Sequence, residues 1–93
     1  MSSVARRVVV SGRVTGVGFR YATLCEARKY RGLAGCVRNL DHGTVECVVQ
    51  GEAANVEAMV AWLRRGPPGA HVLTHTVSDL PARPDWQEFC ISR

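Results

Sequence analysis

Valines at positions 8, 10 and 14 give a β-branched-rich run over residues 7–14 one apolar face, the pattern of a half-buried strand. Thr15, Gly16, Val17 and Gly18 break that pattern with two glycines. Residues 19–31 then turn to helix formers, with Tyr21, Leu24 and Cys25 spaced i, i+3, i+4 as the expected buried stripe. Lys29 and Arg31 suit the negative end of the helix dipole, and Gly32 offers a stop. Two short strands follow, over residues 33–40 and 44–50, around Asp41-His42-Gly43 read as a three-residue hairpin loop. In the second of them Val45, Cys47 and Val49 oppose Glu46, Val48 and Gln50. Residues 54–65 form an amphipathic helix with Val56, Met59, Val60 and Leu63 on its apolar stripe, stopped by Gly66-Pro67-Pro68-Gly69. Residues 71–80 alternate as a fourth strand. A proline-bearing loop covers 81–85, and 86–92 close the chain as a strand or edge through Trp86, Phe89 and Ile91.

The order β-α-β-β-α-β is that of an α+β, ferredoxin-like sandwich: an antiparallel sheet with two helices on one face. The order alone says nothing about function. With 93 residues and no repeat, low-complexity stretch or linker, residues 1–93 are expected to form a single domain.

Hydrophobic residues make up 46% and charged residues 22%, which excludes a disordered or fibrous polymer. Twelve Lys+Arg against eight Asp+Glu leave a net charge of +4, favouring anionic partners. No apolar run reaches the ~18 residues of a membrane span. Val8-Val9-Val10 after Arg6-Arg7 stops at Ser11-Gly12-Arg13, short of a signal sequence. The expected location is therefore cytoplasmic, with no membrane partner. Cys25, Cys36, Cys47 and Cys90 form no C-x-x-C pair and read as small buried hydrophobes in a reducing compartment. His42, His71 and His75 are too scattered for a metal cluster, so no metal and no cofactor is expected.

The segment Gly12-Arg13-Val14-Thr15-Gly16-Val17-Gly18-Phe19-Arg20 joins a strand to the first turn of a helix. Glycines there permit positive φ, so successive N–H groups can line one concavity, and the helix start adds unpaired donors. Such a cradle favours a tetrahedral oxyanion. Arg20 is the informative residue, because a cation in a first helical turn is opposed by the dipole by about 0.3–1 kcal/mol. An anion held between guanidinium and helix end removes that conflict, and the planar fork grips two oxygens at once. A solvated arginine beside a tight turn is the plain alternative. The segment is not a Walker A loop, since Gly-Lys-Ser/Thr is absent.

The full pattern Gly12-x-Val14-x-Gly16-Val17-Gly18-Phe19-Arg20, followed by Gly35-x-Val37-Arg38-Asn39-x-x-x-Gly43-x-Val45-Glu46, resembles the acylphosphatase family. The likeness continues through Gly51-Glu52 and residues 62–70 and ends near Phe89-Cys90-Ile91. It implies hydrolysis of carboxyl-phosphate anhydrides to carboxylate and orthophosphate without a metal. It further implies a phosphate loop at Thr15, Gly16, Val17, Gly18, Phe19 and Arg20, with Arg20 on the phosphoryl oxygens and Asn39 positioning the attacking water. The sequence departs from the family pattern at Thr15, where glutamine is expected, and at Cys36, where tryptophan is usual. It also departs at the Asp41-His42-Gly43 turn and in a stretch near Arg31 that is one residue longer. Arg20 and Asn39 are both present.

The expected partners are a small acyl phosphate and, as bound anion, inorganic phosphate or sulfate, in a monomer. Two alternatives stand beside this reading. One is an RNA-binding or other anion-binding module of the same fold, although the third strand has no aromatic for base stacking. The other is an excised domain of a carbamoyltransferase, which similar domains begin.

Overall fold

The computed structural model describes residues 3–41 and 43–92, so the expectation for His42 lies outside the described residues. β1 (Ser3–Arg13) leads to α1 (Phe19–Ala27), β2 (Ala34–Asp41), β3 (Thr44–Glu52), α2 (Ala53–Arg65), β4 (His71–Leu80) and β5 (Phe89–Ile91). The sheet order is β4-β1-β3-β2-β5. β1 pairs antiparallel with both β3 and β4, and β2 pairs antiparallel with β3. This is the ferredoxin-like α+β arrangement expected from the element order. A short fifth strand joins it in parallel with β2, through Gly35↔Phe89, Cys36↔Cys90 and Val37↔Ile91. Trp86 lies outside that strand, which is shorter than the 86–92 expected.

Strand alternation fixes which face is covered. Val8 and Val10 of β1, Val37 of β2, and Val45, Cys47 and Val49 of β3 are buried together with side chains of both helices. Fully burying a valine or leucine is worth about 1.5–3 kcal/mol, so this layer carries most of the stability. α2 meets it with Val56, Met59, Val60 and Leu63, the stripe its 3.6-residue period predicts.

α1 is corrected in two respects. It ends at Ala27 rather than 31, and no basic residue falls in its last turn. Its buried face is Phe19, Thr23 and Ala27, whereas Tyr21 is 67% exposed and Cys25 is exposed. A small helix over a valine-rich sheet needs small side chains at the closest approach. Thr23 meets this need because its hydroxyl is satisfied locally, donating to the Phe19 carbonyl at 2.7 Å.

The hairpin is tighter than a three-residue loop, since Asp41 pairs with Thr44 across a register shift after Asn39. The sheet's second face carries Glu46, only 8% exposed, between two arginines. Its carboxylate accepts from Arg7 Nε at 2.5 Å and Arg38 Nε at 2.7 Å. Burial pushes the Glu46 pKa up, but the two arginines outweigh it and hold the carboxyl below its ordinary value. The β4–β5 connection is fastened to this face by Gln50, which bonds both the N–H and the C=O of Arg83 at 2.7 Å. Of the cysteines only Cys47 is buried, its thiol pKa raised by desolvation; Cys25 and Cys90 are exposed and Cys36 is partly so.

Candidate active site

The site grows from the end of β1. Val14 is buried and Val17 packs against the core, so the β1–α1 connection is pinned by its two apolar side chains. Between and beyond them Gly16 (φ 73°) and Gly18 (φ 74°) take left-handed backbone, which side chains oppose. Phe19 opens α1 with a ring 2% exposed, tilted 59° to Trp62 at 6.0 Å between centroids. That anchor holds the helix start in place, and the next residue is Arg20.

Gly18 caps α1 without a side-chain hydrogen bond, and the first turn contains no acidic residue. The first N–H groups of any helix have no intrahelical acceptor. Here they remain unpaired by side chains, beside a half-buried Arg20 that forms no ion pair among the described residues. The helix end and the guanidinium together make the local field positive, with no carboxylate among the described residues paired to Arg20.

Asn39 comes from β2, opposite Val45, just before the register shift near Asp41. Its amide makes no hydrogen bond among the described residues. Gly16, Gly18, Phe19, Arg20 and Asn39 line one open cavity of about 670 Å³, with Tyr21, Ile91 and Ser92 completing its wall. Thr15 and Val17 are in the same connection but do not line the cavity.

The sequence pattern placed Tyr21 in the core and gave Ile91 and Ser92 a place in the closing strand but no role at the site. An apolar residue directly after Arg20 was a usable signal for Tyr21, but only the parallel β2–β5 pairing brings Ile91 and Ser92 round. Cys25 has no hydrogen-bonded base among the described residues. His71 and His75 lie exposed on β4, and the described residues hold no group of three or more metal-ligating side chains. No helix among the described residues is long and apolar enough to cross a membrane.

The acylphosphatase family model matches residues 6–91 of the chain. The chain belongs to the acylphosphatase family. An acylphosphatase from Burkholderia mallei is 51% identical over 72 residues, covering 77% of this chain and 72% of that one. The crystal structure of an acylphosphatase from Bacillus subtilis superposes with a TM-score of 0.88 at 36% identity, covering 97% and 99% of the two chains. Full-length HypF in its phosphate- and nucleotide-bound form contains a similar region: TM-score 0.87, 29% identity, 99% of this chain but 12% of that one. Membership makes the chain an acyl phosphate hydrolase, acting on small-molecule substrates.

Proposed function

We propose that hydrolysis proceeds by direct attack of a water positioned by Asn39 on a phosphoryl group held by Arg20 and the amides of residues 15–20. The observation that carries this reading is the shared cavity: Arg20, the uncapped start of α1 and Asn39 all face it. The Arg20 fork binds two phosphoryl oxygens and the loop amides bind the rest, stabilising charge as the transition state forms. The Asn39 side-chain carbonyl accepts one water hydrogen bond and aims the oxygen lone pair at phosphorus.

As the water–phosphorus bond forms, the bond from phosphorus to the acyl oxygen breaks and carboxylate leaves with the electron pair. A carboxylic acid of pKa about 4 needs no strong general acid to depart. The water proton passes to a phosphate oxygen, so no protein base is required, and the work is positioning and charge stabilisation.

Residues 1–93 act in this reading as one catalytic unit, a cytoplasmic monomer that also takes orthophosphate or sulfate in the cavity. The Bacillus subtilis acylphosphatase, 36% identical and covered to 99%, supports that form over HypF, 29% identical and covered to 12%. β1 and β3, the central strands, contain no aromatic residue, which weighs against RNA stacking on the sheet. The test is benzoyl phosphate hydrolysis in metal-chelated buffer by wild type, Arg20→Ala and Asn39→Ala. Loss of turnover in both variants is expected. Full activity in both overturns the assignment.

A further inference from the structure

The open face of the sheet carries a thiol pair outside the cavity. Cys36 and Cys90 are register partners of β2 and β5, and their sulfurs are 3.3 Å apart. We propose that these two cysteines form a dithiol that a small-molecule disulfide of the glutathione type converts to an intramolecular Cys36–Cys90 bond, fastening β5 to β2.

Three observations carry it. First, neighbouring strands lie about 4.8 Å apart, within the ~4.4–6.8 Å between Cα atoms that a disulfide spans. The sulfurs have only about 1.2 Å to close before reaching a ~2.05 Å bond. Second, Cys90 is exposed and Cys36 partly so, which gives a small disulfide access, whereas Cys47 is sealed in the core. Third, β5 is the least secured strand of the sheet, three residues long and held at an edge by a single partner. A covalent link there adds most where the sheet has least.

In the contact the Cys90 thiol donates to the Cys36 sulfur. The Cys36 thiolate attacks one sulfur of the small disulfide, whose S–S bond breaks and whose other half leaves as thiolate. Cys90 gives its proton to solvent and attacks the Cys36 sulfur of the mixed disulfide, expelling the second small thiolate. The pair loses two electrons and two protons, and the small disulfide is reduced to two thiols. Cys90 directly precedes Ile91 and Ser92, so the bond fastens the segment that supplies part of the cavity wall.

The test incubates the purified protein with oxidised glutathione, then alkylates, digests and maps it beside a thermal melt. Expected are a linked Cys36–Cys90 peptide, alkylated Cys25 and Cys47, and a midpoint raised by about 10 °C, because the link closes a long loop of the unfolded chain. Cys90→Ser, a surface change, loses both the link and the rise, and dithiothreitol reverses them in wild type. A stable glutathione adduct at either cysteine, a link through Cys25 or Cys47, or all four thiols remaining free overturns the proposal.

Discussion

The Gly12 amide donates a 3.0 Å hydrogen bond to the Gly43 carbonyl. It ties the end of β1, where the connection to α1 begins, to the turn that follows Asn39, so the two halves of the candidate site share one support. A side chain at Gly12 destroys that seat: its Cβ falls 2.3 Å from the His71 carbonyl, at φ +131°. Gly12→Ala is expected to lower unfolding free energy by on the order of 3 kcal/mol, combining strain with overpacking. Gly16→Ala meets nothing within 4 Å and bears only the left-handed φ, about 1–2 kcal/mol. Equal losses in urea denaturation refute this account.

Arg20→Lys keeps the charge but not the fork. Turnover of benzoyl phosphate is expected to fall about 10²-fold, and Arg20→Ala about 10³-fold, the range for losing a preorganised donor. Because Arg20 makes no ion pair or side-chain hydrogen bond among the described residues, both melts should stay within about 2 °C of wild type. A variant that loses activity and stability together points to a structural role.

Glu46 sets the acid limb of stability. Its pKa is lowered from 4.5 on folding, so the unfolded chain binds more protons and stability rises with pH through that region. The contribution is complete above the unfolded value and is lost as pH falls below about 4.5 through the folded one. Glu46→Gln is expected to cost roughly 1–2 kcal/mol at pH 7, discounted because Arg7 and Arg38 are 40% and 50% exposed. Denaturant midpoints of the two proteins should converge towards pH 3.

Water attack with the proton passing to phosphate predicts a rate without a histidine dependence. The pH profile of kcat between pH 5 and 8 is expected to be the same in wild type, His71→Gln and His75→Gln. A limb that vanishes in either variant requires a protein base.

Orthophosphate in the cavity should raise the melting midpoint with concentration, about 2.7 kcal/mol of added stability at a hundred times its Kd. Arg20→Ala is expected to abolish the shift. A shift that survives locates the anion elsewhere.

How much of this could be read in the chain depended on what each face is made of. The α2 stripe and the limits of β4 were legible because Val56, Met59, Val60 and Leu63, and the alternation over 71–80, obey a single period. α1 misled because its buried face is Thr23 and Ala27 beside Phe19, while the more apolar Tyr21 and Leu24 lie outward or at the margin. Hydrophobicity cannot signal a face selected for smallness. Arg20 and Asn39 stood out through the family resemblance and the anomalous cation at a helix start. Ile91, Ser92 and the meeting of Cys36 with Cys90 were hidden, since they depend on a parallel pairing between strands 54 positions apart.

The bare start of α1 has a last consequence. A Gly18→Asp change would set a negative charge against those amides and shut the substrate out, while straining a backbone held at φ 74°. The α1 start carries no side-chain cap, and in the proposed mechanism the phosphoryl group of the substrate completes it. Empty molecules are then the perishable ones, so protease survival in a cell should track how well the enzyme is fed.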